Sequence, residues 1–366
     1  MDERHAILAL SLIPEVGPNL LFHLVASFGS AQAALVASFE RLRLVPGIGA
    51  VTASAIHAFP WQKALEEELR LIERGRVSLL VWGDPAYPET LKHIPSPPPV
   101  LYLKGSLQER DQAAVAIVGS RRLTPYGRAV AERIASDLAS RGLTIVSGLA
   151  RGIDSAAHRG ALAAEGRTLA VLGSGLGRMY PPEHRGLAER IAASGAVLSE
   201  FPLTTPPHAG NFPRRNRLIS GLALGVVVVE AGLESGALIT AGYALEQGRE
   251  VFAVPGPVTA PTSRGCHRLI KQGARLVETW KDVWEELTSR LGPPPGLGKK
   301  GEEAQPPAGE EERLYRLLEG GPLQIDELIT QSGLPPSRIA PLLLSLVMKG
   351  LLEERPGKVF AQRVMV

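Results

Sequence analysis

From residue 113 onward, short apolar stretches alternate with helical ones, and this alternation constrains the fold more than any other feature of the chain. Ala113–Val118, Thr144–Ser147, Arg167–Leu172, Ala196–Ser199, Gly225–Glu230 and Glu250–Val254 have the length and apolar character of strands, and a last strand is expected near Ala274–Val277. Between them Tyr126–Arg141, Ile153–Glu165, Pro182–Ser194, Asn216–Gly221, Leu238–Gln247 and Cys266–Gln272 read as helices, with a polar loop over 204–213. Strands this apolar have to be covered on both faces, and strand–helix alternation places successive strands parallel. The fold class is therefore α/β, with a mostly parallel, doubly wound sheet.

The flanks follow other rules. Residues 1–75 are helical in pattern, and Leu42-Arg-Leu-Val-Pro-Gly-Ile-Gly49 followed by Ala50–Ile56 has the form of a helix-hairpin-helix unit. Its glycines permit a tight turn that exposes backbone N–H groups. No Lys or Arg falls from Gly47 to Ile56, which argues for a structural role there. Residues 76–290 form an extended Rossmann-like domain, with a strand at Val77–Trp82, proline-rich connectors, and a short strand Leu101–Lys104 expected at one edge of the sheet. A stretch rich in Pro, Gly, Lys and Glu at 291–310 reads as a linker. Residues 311–366 give three helices and a two-stranded wing around Pro356-Gly357, the pattern of a winged helix. Its candidate recognition helix, Pro336–Lys349, carries only Arg338 and Lys349 as basic residues, which favours a role other than DNA reading.

A lone cysteine, Cys266, excludes an internal disulfide and a cysteine-based zinc site. No segment has the order of a signal peptide or the length of a membrane span, so a cytoplasmic location is expected. Residues 111–290 hold 21 Lys or Arg against 16 Asp or Glu, whereas residues 1–110 hold 10 against 11, so the positive excess lies in the middle segment. Of those 21 basic residues 19 are arginine, whose planar fork of donors suits phosphate.

The candidate binding residues lie at the ends of the predicted strands, near helix N-termini that favour anions. Gly119, Ser120 and Arg121 follow the first apolar strand; Ser147, Gly148 and Arg151 follow the next, with Asp154 read as a loop-fixing or capping residue. Tyr180, in the glycine-dense loop after Leu172, is able to stack on a base. In Gly210-Asn-Phe-Pro-Arg-Arg-Asn-Arg217, Phe212 offers a stacking ring while Arg214, Arg215, Asn216 and Arg217 offer donors, the combination that holds single strands without a sequence code. Ser235 and Thr240 read as an anion nest, and Arg264, Arg268 and Lys271 extend a basic rim. Neither a metal cluster, nor a Gly-x-Gly-x-x-Gly fingerprint, nor a Walker lysine, nor a catalytic triad is legible, so no cofactor, metal or catalytic residue is assigned.

These motifs resemble the DNA-processing protein A family, also called Smf, of bacterial natural transformation. Gly119-Ser-Arg121, Ser147-Gly-Leu-Ala-Arg-Gly-Ile-Asp154, Phe212-Pro-Arg-Arg-Asn-Arg217 and Ser235-Gly-Ala-Leu-Ile-Thr240 carry the resemblance, which covers nearly the whole chain. It implies a non-enzymatic protein that coats and protects incoming single-stranded DNA, helps load the RecA recombinase, and forms a homodimer through the Rossmann-like domain. It also implies a phosphate pocket made by Gly119, Ser120, Arg121, Ser147, Gly148, Arg151, Arg214, Asn216 and Arg217, with Lys271 on a basic rim. Thr262-Ser263 stands where many members carry Thr-Asn, and no DNA contact is assigned to it.

Two alternatives stay open. The domain is also similar to Rossmann-like phosphoribohydrolases, with Glu230 at a comparable strand end, although the Pro-Gly-Gly-x-Gly-Thr run of those enzymes is absent. The near-neutral terminal segments also fit a structural interaction protein.

Overall fold

A computed structural model describes residues 1–291, 309–348, 351–355 and 358–362. The chain divides into two units, Met1–Leu297 and Gly298–Val366.

The first unit is built on a sheet of nine strands among the described residues: β1 (Ser78–Val81), β2 (Val100–Gly105), β3 (Ala114–Gly119), β4 (Thr144–Ser147), β5 (Thr168–Val171), β6 (Ala196–Ser199), β7 (Gly225–Val229), β8 (Glu250–Ala253) and β9 (Arg275–Leu276). Their order is β1-β2-β6-β5-β4-β3-β7-β8-β9. From β6 to β9 every pairing is parallel, while β1 and β2 join the β6 edge antiparallel. The chain winds outward from β3 through β4, β5 and β6, then returns to the other side of β3 and winds outward again through β7, β8 and β9. The carboxyl ends of β3 and β7 therefore flank the crevice where the winding reverses, the place where ligands bind open sheets of this kind.

Alternation within β3 shows why the sheet needs two covers. Ala114, Ala116 and Val118 face one core and Ala113, Val115 and Ile117 the other, all of them buried. The first face packs against α7 (Glu89–Lys92), α11 (Asn211–Gly221), α12 (Gly236–Glu246) and α13 (Arg264–Lys271), the second against α8 (Pro125–Ala139), α9 (Ile153–Ala163) and α14 (Trp280–Leu291). Helix α10 (Arg185–Ser194) closes a smaller core with Leu172 and Val197. The helices α1 (Glu3–Ser11), α2 (Pro18–Phe28), α3 (Ala31–Leu35), α4 (Phe39–Arg43), α5 (Ala50–Ala58) and α6 (Trp61–Gly75) form their own core. Val81, Val100 and Tyr102 of the edge strands enter that core and tie it to the sheet.

Besides β2, which lies between β1 and β6 rather than at the edge of the sheet, helices α11 and α14 differ from the sequence reading. Helix α11 begins at Asn211, so Phe212 and the arginine cluster stand on a helix rather than in and after a loop. Pro213 is accommodated there because in the first turn of a helix its missing N–H leaves no hydrogen bond unmade. Helix α14 also went unread: Asp282 accepts the N–H groups of Glu278 and Thr279, and Val283 and Leu287 are buried.

In the second unit α15 (Glu310–Leu317), α16 (Ile325–Ser332) and α17 (Pro336–Met348) surround a core of Leu314, Leu328, Ile339, Leu343 and Leu346, closed by Leu352 and Phe360. Strands β10 (Leu323–Gln324), β11 (Leu352–Arg355) and β12 (Val359–Gln362) form an antiparallel sheet in the order β10-β12-β11. Arg338 pairs with Glu310 at 2.8 Å. Lys349, Pro356-Gly357 and most of the expected 291–310 linker lie outside the described residues.

Candidate nucleic-acid interface

A cleft of about 1020 Å³ opens at the reversal point of the sheet. Its walls come from five separate stretches: 118–122 after β3, Ala150 and Asp154 around the start of α9, 209–219 along α11, 232–240 around the start of α12, and Pro261, Thr262 and Arg264 before and at the start of α13. Of the residues chosen from the sequence, Gly119, Ser120, Arg121, Phe212, Arg215, Asn216, Ser235 and Thr240 line this cleft.

Close approach of backbone to backbone explains the glycines. A Cβ on Gly119 would collide with the Val229 carbonyl, and one on Gly152, which sits at φ +86°, would collide with the Ser120 carbonyl. Ser120 holds the turn by donating from Oγ to the Arg122 carbonyl at 2.8 Å, leaving Arg121 and Arg122 exposed at the rim. Ser235 caps α12, its Oγ accepting the Ala237 N–H at 3.3 Å.

A row of two aromatic rings flanked by two arginines starts at the cleft wall and runs beyond it. The Arg121 guanidinium lies 5.1 Å from the centre of the Phe212 ring, Phe212 is 6.0 Å from the Tyr180 ring, and Arg151 lies 5.5 Å from Tyr180. All three spacings bring the groups into contact range of one another. The Phe212 ring packs over Gly173, where an added Cβ would come within 2.8 Å of it.

Arg215 and Arg217, expected as donors to phosphate, are both buried and already hydrogen-bonded within the fold. Arg215 is buried, donates to the Gly148 carbonyl at 2.7 Å and also to the Val171 carbonyl. Burial lowers its pKa to about 10, with Asp154 opposing the shift. Asp154 has its own pKa raised by burial and accepts the Ala150 N–H at 3.3 Å, which matches a loop-fixing role. Arg217 is clamped by Glu200 through two 2.7 Å bonds and also donates to the Ser96 carbonyl. Arg214 is exposed and lies over Phe201 at 5.3 Å. Ser147 is buried and donates to the Ile117 carbonyl, and Gly148 sits beneath Arg215. Arg151 stands outside the cleft lining, paired with Glu183, and Lys271 is exposed at the end of α13, also outside it.

Arg122 and Thr262 line the cleft although neither was selected as a binding residue, and Arg264, expected on a basic rim, lines it with them. The second arginine of Ser120-Arg-Arg122 and the basic start of α13 were visible in the sequence; what places them at one rim is the sheet order. Glu230, the residue behind the hydrolase alternative, sits at φ +52° and accepts from the Thr124 N–H at 2.9 Å and the Thr124 hydroxyl at 2.5 Å. A Cβ on Gly127 would collide with this carboxylate. Glu230 thus closes the N-terminus of α8 and does not line the cleft.

Residues 78–288 match the family model of DNA recombination-mediator protein A, and residues 298–358 match the DprA winged helix domain. Protein Smf of Synechocystis sp. is 36% identical over 394 residues, covering 97% of this chain and 98% of its own length. Protein Smf of Escherichia coli is 48% identical over 231 residues, covering 63% of this chain and 62% of its own. The X-ray structure of DNA processing protein A from Streptococcus pneumoniae superposes with a TM-score of 0.69 at 33% identity, over 77% of this chain and 97% of that one. DNA processing protein A from Helicobacter pylori, whose structure addresses its single-stranded DNA binding mode, gives a TM-score of 0.53 at 30% identity, over 59% and 97%. With one family model spanning most of the first unit and a relative aligned over almost its full length, the chain belongs to the DNA recombination-mediator protein A family.

Proposed function

We propose that this chain binds single-stranded DNA in the cleft between the carboxyl ends of β3 and β7, protects it, and helps load RecA recombinase onto it during natural transformation. The observation that carries the reading is the exposed guanidinium of Arg121 beside the Phe212 ring at the cleft rim. A cation next to a stacking face serves both components of a single strand, phosphate and base, without reading sequence. Arg122 and Arg264 add positive charge at the same rim, and Ser120, Ser235 and Thr240 add neutral donors. Arg215 and Arg217 support the site from within. The binding mode of the Helicobacter pylori protein, a relative with the same architecture, supports a single strand as ligand.

On this reading the first unit comprises a helical module (1–75) and an extended Rossmann-like DNA-binding domain (76–290), followed after the 291–310 linker by a winged helix (311–366). The Rossmann-like domain pairs with a second copy to form a homodimer that works in the cytoplasm with RecA as partner. Lys271 extends the basic rim rather than the cleft floor.

The test is binding of a fluorescent oligothymidylate and its duplex, across a salt series, to wild type, Arg121→Ala and Phe212→Ala. Preferential single-strand binding that weakens with salt, and a loss of roughly 5- to 100-fold on removing the Phe212 ring, are expected. Equal binding by wild type and both folded variants refutes the assignment of the cleft.

A further inference from the structure

The arginine–aromatic row does not stop at the cleft. Tyr180 lies outside the cleft lining, yet its ring is adjacent to Phe212 and its side is open to solvent. Arg151 lies over it, just as Arg121 lies over Phe212. The same pair of groups, a guanidinium and an aromatic face, therefore occurs twice in succession along one surface.

One feature separates the two pairs. Arg151 donates from Nε to Glu183 Oε1 at 2.5 Å and from Nη1 to the Tyr180 hydroxyl at 3.2 Å. The contact raises the Arg151 pKa and lowers that of Glu183, so both groups are charged at neutral pH. The two side chains are 50% and 48% exposed, and an ion pair so open to water holds weakly and exchanges readily. A carboxylate oxygen on a guanidinium is also the nearest protein equivalent of a phosphate oxygen.

We propose that Tyr180 and Arg151 form a second nucleotide subsite, one step along the strand from the cleft, and that Glu183 occupies Arg151 in place of a backbone phosphate until DNA displaces it. The inference rests on the single-strand reading given above and names the next contact on that strand's path. In the free protein Glu183 keeps Arg151 stretched over the Tyr180 ring, so the subsite is preassembled. Its cost is that each binding event has to break the ion pair, which lowers affinity and keeps nonspecific anions off the site.

The experiment measures oligothymidylate affinity against salt for wild type, Glu183→Gln, Arg151→Ala with Glu183→Gln, Tyr180→Ala, Tyr180→Phe and Arg121→Ala. Glu183→Gln is expected to bind several-fold more tightly at low salt. Its log–log salt slope is expected to steepen by about 0.7, the increment for one further phosphate on a single strand. Adding Arg151→Ala removes both gains. Tyr180→Ala weakens binding roughly 5- to 100-fold, whereas Tyr180→Phe, which keeps the ring, stays near wild type. If Arg121→Ala weakens binding while Glu183→Gln and Tyr180→Ala leave affinity and slope unchanged, the second subsite is overturned and the cleft reading stands. If Arg121→Ala itself has no effect, the cleft reading fails and the inference fails with it. Weaker binding by folded Glu183→Gln also overturns the proposal, because it makes Glu183 a support for DNA rather than its competitor.

Discussion

The guanidinium of Arg215 and the carboxylate of Asp154 crowd the same point above Gly148: a Cβ there would lie 2.6 Å from Arg215 Nη2 and 2.6 Å from Asp154 Oδ2. Glycine is thus required at 148 by two side chains rather than by a turn. Gly148→Ala should push Arg215 off its carbonyl partners and destabilise the fold by about 1–3 kcal/mol, the usual cost of overpacking. A denaturant titration checks this, and single-strand affinity should fall with the displaced α11.

Arginines 214 and 217 are three residues apart and should respond in opposite ways. The Glu200 carboxylate is only 4% exposed, and Arg217 is its ion-pair partner. Arg217→Ala should therefore cost about 3–5 kcal/mol, because it strands a buried charge. Arg214→Ala, at an exposed position, should shift the unfolding midpoint very little. A variant losing all three arginines of the cluster would report mainly on folding, which is why Arg121 is the sharper probe of DNA contact.

The seat of Phe212 can be disturbed without touching a charge. Gly173→Ala places a methyl group within 2.8 Å of the ring and should tilt it away from Arg121. We expect oligothymidylate affinity to drop while circular dichroism and the thermal midpoint change little. An unchanged affinity would show that the ring's position is irrelevant to binding.

His158 sets an acid limit on stability. It is fully buried, its Nδ1 is 2.6 Å from the Thr168 hydroxyl, and its Nε2 has no partner among the described residues. Burial lowers its pKa to about 3, against an ordinary value of 6.5. The unfolded chain therefore takes up a proton below pH 6.5 that the folded chain refuses, so this contribution is complete above pH 6.5 and erodes as pH falls toward 3. The expected loss is about 1.4 kcal/mol per pH unit within that window. Urea midpoints measured from pH 7.5 to 5 should show it, and His158→Asn should flatten the slope.

How much of this was legible beforehand depended on the kind of interaction involved. The parallel sheet was readable because its central strands are apolar on both faces, a local property of runs such as Gly225–Val229. The cleft glycines and Arg121 were readable because strand ends in such a sheet converge. The orientation of Arg215 and Arg217 was not, since it depends on partners at Gly148, Val171 and Glu200 that lie 67, 44 and 17 residues away. Reading 204–213 as a loop compounded the error: once α11 starts at Asn211, the two side chains leave the helix about 200° apart and each meets its own buried partners. Glu230 illustrates the same limit in reverse. Its position at a strand end suggested chemistry, while its partner Thr124, 106 residues away, makes it a cap.

The cleft draws its walls from stretches between Val118 and Arg264, and those stretches meet only where the winding of the sheet reverses. No subset of strands holds a smaller version of it. On the proposed reading, affinity for DNA is therefore all-or-none with respect to assembly of the domain: a nascent or partly opened chain presents scattered arginines, and a strand is captured only by a molecule whose two halves have closed on β3. DNA bound there would, in turn, brace that seam, stabilising the contact between halves that the backbone itself connects only through the long excursion from β6 to β7.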